Sequence, residues 1–112
     1  MATTPPAGAP GDRLSQLMRM ADAEPGDPFF PYGIAQEHAR AGRHDQAIEW
    51  YDRTVAVDAN YCYAYFHKAR SLEELGRTDD ACAALRSGIE RARAAGDRHA
   101  LSELSGYLDQ LC

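Results

Sequence analysis

The sequence is short of lysine. Lys68 stands alone among 112 residues, and the eleven arginines are scattered rather than blocked. With a formal net charge of -5, the chain offers no basic footprint, so neither nucleic acid nor an anionic membrane surface is an expected partner. Long hydrophobic runs are missing too, and no stretch approaches the roughly 18–20 apolar residues of a membrane span. The first dozen residues have neither a basic start nor an apolar core, so no secretory signal is read there. Cysteine is scarce. Cys62, Cys82 and Cys112 are an odd number without a C-x-x-C pair, which argues against a disulfide framework or zinc knuckle and for a reducing compartment. A cytoplasmic protein is the expectation. Nucleophile elbows, phosphate loops and carboxylate dyads are likewise absent.

What the chain does have is a repeat. Gly42-Arg43-His44-Asp45-Gln46-Ala47-Ile48 returns 34 residues later as Gly76-Arg77-Thr78-Asp79-Asp80-Ala81-Cys82. Ala35 falls on Ala69, Tyr32 on Phe66, Phe29 on Tyr63 and Val55 on Ile89. A fixed period of this length marks a stacked array of helix-turn-helix units.

Taken in order, residues 1–11 are rich in Pro, Ala and Gly and read as a disordered tail. Asp12 is a candidate N-cap for a lone helix carrying Leu14, Leu17, Met18 and Ala21 at helical spacing. In the repeat register this helix is a half unit over 12–26. A first full repeat follows over 27–60, a second over 61–96, and a last helix over 97–111. Asp27, Asn60, Thr78 and Asp97 are the expected caps, and Gly42, Gly76 and Gly96 the expected helix stops. In the last helix, Ala100, Leu101, Leu104, Leu108 and Leu111 form one apolar stripe. A single apolar face suits the end of a stack, which has a neighbour on one side only. The whole is expected to be one all-α domain of about six helices.

The spacing of small and aromatic residues resembles the tetratricopeptide repeat. That family's second helix has a small residue, an aromatic four later and a small residue three beyond. Here Ala47, Tyr51 and Thr54 fill those places, then Ala81, Leu85 and Gly88. In the first helix the family's Leu-Gly-like pair and following aromatic correspond to Ile34-Ala35 with His38, and to Lys68-Ala69 with Leu72. The resemblance covers about residues 14–95 and implies a right-handed α-α superhelix of antiparallel helix pairs. Lys68 departs from the usual leucine, so its stem packs with a snorkelling head or a carboxylate meets it. Ala35, Ala47, Ala69 and Ala81 would sit where helices cross closely.

The resemblance also implies a concave wall built from the first helix of each repeat. On it Phe29, Tyr32 and Gln36 share a face, as do Tyr63, Phe66 and Arg70. Four rings in two rows, bordered by Gln36, Arg40, Arg70, Glu73 and Glu74, form a groove suited to a peptide. The other reading has some of these rings packing on the last helix or the tail. Of the places where some relatives grip a terminal carboxylate, only Arg70 could serve here, so that clamp is not expected.

The four histidines and the cysteines lack the spacing of helix-borne metal ligands, and no metal or cofactor is expected. Cys82, aligned with Ile48, reads as a small buried hydrophobe. The sequence thus points to a non-enzymatic module that binds a protein or peptide. The alternative is a self-associating homo-oligomer such as a homodimer, to which the outer face of the first helix with Met18 and Met20 contributes. An enzyme using Cys62 and His67 is a third reading.

Overall fold

The computed structural model describes residues 10–112. It consists of α1 (Pro10–Ala23), α2 (Phe29–Arg40), α3 (His44–Val57), α4 (Cys62–Glu74), α5 (Thr78–Ala95) and α6 (Arg98–Leu111), with no strand among the described residues. Each helix packs chiefly on its neighbours in sequence, and α4 also touches α6. Such nearest-neighbour packing makes an elongated stack, 54 × 30 × 19 Å. The radius of gyration of 15.2 Å exceeds the ~13 Å of a round domain of this length.

The turn glycines act as the sequence predicts. Gly42, Gly76 and Gly96 have φ of 81°, 75° and 71°, a left-handed conformation that a Cβ would penalise. Around each, the same pair of bonds closes the helix. The amides of Arg43, Arg77 and Asp97 donate to the carbonyls of His38, Leu72 and Ala92 at 2.8–2.9 Å, and the glycine amides donate to Ala39, Glu73 and Arg93. This is the Schellman arrangement, made three times, with the first two turns 34 residues apart and the third closing the following helix.

The helix starts are a different matter. Asp97 caps α6 by accepting from the Ala100 amide at 3.0 Å, and Asp27 accepts from the Phe29 amide at 2.9 Å. Asn60 does not cap. Tyr61 occupies the N-cap place, and the Asn60 amide donates to Asp58. Thr78 lies inside α5 behind Arg77, with no side-chain cap bond, and Asp79 and Asp80 supply the negative charge of the first turn instead. Asp12 cannot cap α1, because that helix already starts at Pro10, which is well placed for a first turn. The tail predicted over 1–11 is therefore helical in its last two residues, and its remainder lies outside the described residues.

Two apolar clusters hold the stack. One gathers Ala35, Ala47, Tyr51 and Ala64 between α2, α3 and α4; the other gathers Ala69, Leu72, Ala81, Leu85, Ile89 and Leu104 between α4, α5 and α6. Ala35, Ala47, Ala69 and Ala81 are all fully buried, as close crossings require. Burying side chains such as Ile34, Leu72, Leu85 or Leu104 contributes about 1.5–3 kcal/mol each. Gly88 marks another tight crossing, where a Cβ would stand 2.7 Å from Tyr65 Cβ. Lys68 is met by a carboxylate: its Nζ lies 2.7 Å from Asp52 Oδ1.

The cysteine reading needs correction. Cys82 is buried but it is not a lone hydrophobe; it is disulfide-bonded to Cys112, leaving Cys62 as the free thiol. The partners are 30 residues apart in sequence and meet only because α5 and α6 fold back on each other. Spacing could not reveal this, and the argument for a reducing compartment loses its support.

Candidate functional site

The wall that positions the candidate residues is formed by α2, α4 and α6. α3 and α5 lie behind it, and their inward side chains set its depth. Tyr51 on α3 is almost fully buried, yet its hydroxyl reaches through to donate to Gln36 Oε1 on α2. A predicted wall residue is thus held from behind.

The rings do not form the two rows expected from the repeat register. Phe29 is 52% exposed at the start of α2 and pairs edge-on with Phe30 at 5.3 Å. Tyr63 turns toward His99 of α6. A single band runs instead from Tyr61 to Tyr32 (4.9 Å), on to His67 (5.9 Å), to Phe66 (5.4 Å), and to Tyr107 of α6 (5.1 Å). Tyr51 joins the band by stacking on His67.

Two grooves open along this wall. The first, about 460 Å³, lies between α2 and α4 and is lined by Gln36, Arg40, His44, Tyr51, His67, Arg70 and Glu74. The second, about 430 Å³, lies between α4 and α6 and is lined by Phe66, Arg70, Glu73, Glu103, Gly106 and Tyr107, with Ser102 and Gln110. Arg70 is exposed and borders both. Of the six residues predicted from sequence, Gln36, Phe66 and Arg70 line the grooves; Tyr32 belongs to the band, while Phe29 and Tyr63 lie outside it, against Phe30 and His99. Tyr51, Tyr61, His67 and Tyr107 were missed. Tyr107 alone carried a signal, as an aromatic lying off the leucine stripe of the last helix.

The electrostatics follow from burial. The His67 imidazole is pushed below its usual range by burial and then by the Arg70 guanidinium, so it is neutral at pH 7. Burial raises the Tyr32 phenol to about 12, and raises those of Tyr51 and Tyr107 further. Tyr107 is also bonded to Glu73, at 2.5 Å, and that carboxylate disfavours the phenolate. These hydroxyls are therefore donors at neutral pH. The His44 ring, 3.0 Å from Ser71 Oγ, joins the α3 start to α4 across the floor of the first groove. On the α1 side, buried Glu37 is held by Arg13 at 2.9 Å and Arg40 at 3.0 Å. No three His, Cys, Asp or Glu side chains converge in a metal-holding group among the described residues. No described helix is long and apolar enough to cross a membrane.

Antiparallel helix pairs stacked in one direction, with glycine-stopped turns at a 34-residue interval, define an all-α repeat superhelix. A tetratricopeptide repeat model matches residues 63–94. The tetratricopeptide repeat domain protein from Salinibacter ruber, solved by NMR, is 36% identical over 76% of this chain and 86% of that one, with a TM-score of 0.71. The chain belongs to the tetratricopeptide repeat family. Two further structures share the fold at lower identity. PcrH, in complex with the chaperone binding region of PopD, is 21% identical with a TM-score of 0.82, over 94% of this chain and 80% of that one. The Yersinia enterocolitica type III secretion chaperone SycD, in complex with a peptide of the translocator YopD, is 20% identical with a TM-score of 0.71, over 88% and 82%. No curated protein matches the chain by sequence.

Proposed function

We propose that the chain is a non-catalytic protein-interaction module that binds a peptide segment along the α2–α4–α6 wall. The observation that carries this is the position of Arg70. An exposed guanidinium borders both grooves, beside the half-buried ring of Phe66, so one ligand can meet a cation and an apolar ring together. Aromatic and arginine side chains are the usual anchors of such contacts. Tyr51 and Tyr107 add oriented hydroxyls, and Glu73 and Glu103 give the second groove an acidic side. Two relatives of the same fold are known in complexes with partner segments, PcrH with a region of PopD and SycD with a peptide of YopD, which supports a peptide as ligand. With net charge -5 and one lysine, the chain lacks the charge to hold nucleic acid, so a protein ligand is favoured.

The reading is tested by selecting binders from a random peptide display library on the folded protein. Selected peptides should lose affinity for Phe66→Ala and Arg70→Ala while both variants keep their helical spectrum. If no peptide is enriched, or if enriched peptides bind both variants as well as the parent, the reading fails.

A second reading, self-association, is favoured by Met18 and Met20 on α1 and Phe29 on α2, which are 43%, 45% and 52% exposed. Elution mass at low micromolar concentration separates the two: a firm dimer supports this reading, and a monomer removes it.

A further inference from the structure

The α5–α6 hairpin is joined at one end by Gly96 and Asp97 and closed at the other by Cys82–Cys112. The two Cα atoms are 6.3 Å apart, within the range a disulfide spans. Between those ends, the hold of α6 on the core weakens along its length. The two fully buried side chains, Ala100 and Leu104, both lie in its first half, beside partly buried Leu101, whereas the second half holds the core only through partly buried Leu108 and Leu111. Gly106 sits in the middle of the helix with nothing within 4 Å of where its Cβ would be. No close approach requires glycine there, and its presence lowers local helix stability. Gly106, Tyr107 and Gln110, which line the second groove, all lie on this weaker half.

We propose that Cys82–Cys112 is a redox latch on the α4–α6 groove. Oxidised, it pins the second half of α6 to α5 and so presents Tyr107 to Phe66 and Glu73. Reduced, it lets that half of α6 fray, and the groove loses one wall. The functional consequence rests on this groove being the peptide site.

The chemistry is thiol–disulfide exchange with a small thiol of the glutathione class. Cys112 is exposed and Cys82 buried, so the incoming thiolate attacks Cys112 Sγ. The S–S bond breaks, its electron pair leaves on Cys82 Sγ, and that sulfur takes a proton. A second thiolate attacks the mixed disulfide and releases the Cys112 thiolate. Two small thiols become one small disulfide as the protein disulfide becomes two thiols, and the reverse sequence closes the latch. Cys62, buried at the start of α4, takes no part and serves as an internal count.

The test uses the full chain, before and after treatment with dithiothreitol. Alkylation under denaturing conditions should label one cysteine before reduction and three after it. Hydrogen–deuterium exchange read by mass spectrometry should quicken by about tenfold or more over residues 105–111 on reduction, with α2 and α3 unchanged. Cys112→Ser should reproduce this without reductant, and adding Gly106→Ala should slow the exchange again. Exchange is read with no peptide present, so a failed peptide site and a failed latch are told apart. Three labelled cysteines before reduction, exchange unchanged to within about twofold, or equal acceleration in every helix would each overturn the latch.

Discussion

Tyr107 on α6 donates a 2.5 Å hydrogen bond to Glu73 on α4, 34 residues earlier, and packs its ring against Phe66. α6 is therefore more than a lid on the apolar side of α5: it extends the wall begun by α2 and α4. Tyr107→Phe keeps the ring and removes only the bond, so it should cost about 0.5–1.5 kcal/mol in a denaturant titration. Tyr107→Ala should cost more and should open the second groove. Equal effects of the two changes would mean that the ring contributes nothing.

Two glycines in neighbouring helices should respond oppositely to the same change. Gly106→Ala fills open space and should stabilise by about 0.5–1 kcal/mol through helix propensity. Gly88→Ala gains the same propensity but puts a methyl 2.7 Å from Tyr65 Cβ and 3.2 Å from Leu104 Cδ1, and overpacking of this kind costs about 1–3 kcal/mol. Its net effect should be destabilising. Thermal melts of the pair decide the matter, and a Gly88→Ala protein as stable as Gly106→Ala would show that the α4–α5 crossing is not tight.

Ala81 and Ala83 make a similar contrast on α5. Ala81 is fully buried and Ala83 exposed. Ala81→Leu should lose about 1–3 kcal/mol, and Ala83→Leu should stay within about 0.5 kcal/mol of the parent. Similar losses at both positions would contradict the orientation of α5.

Stability should be flat from about pH 7 to 9 and fall on either side, the alkaline fall beginning with the Cys62 thiol, which burial raises above 9. His67 and His38 have folded pKa values below 6.5, both chiefly through burial. The neutral forms are favoured in the fold, so their contribution is present above 6.5 and is lost as pH drops through the lower folded values. On the alkaline side the sign reverses. Tyr32 titrates near 12 rather than 10, so the unfolded chain ionises first and stability declines as pH rises from 10 toward 12. Denaturant midpoints across pH 5–12 check both limbs; a midpoint that rises below pH 6.5 would mean that His67 is not buried neutral.

Most of the fold was legible because it is written in repeated backbone needs. Left-handed turns require glycine at Gly42 and Gly76, and close crossings require Ala35, Ala47, Ala69 and Ala81, so the 34-residue period survives where side chains diverge. Helix starts were less legible. A first turn can draw on a residue outside the cap position, as Asp27 does, or on carboxylates within it, as at Asp79 and Asp80. The site was half legible. Register aligned Phe29 with Tyr63 and Tyr32 with Phe66, but which rings touch depends on helix rotation and on what stands behind. That is how Tyr51 and His67 entered the band. Tyr107, and Cys112 as the partner of Cys82, lie beyond the repeat register, where no aligned residue could point to them.

The central claim, a peptide on the α2–α4–α6 wall, is tested most directly by mapping amide shifts as a display-selected peptide is titrated into the labelled protein. The account expects shifts concentrated at Gln36, His67, Arg70 and Tyr107, with α3 and α5 residues such as Arg53 and Arg86 unmoved. Shifts centred on Met18 and Met20, or on the α3–α5 side near Asp52 and Ser87, would contradict it.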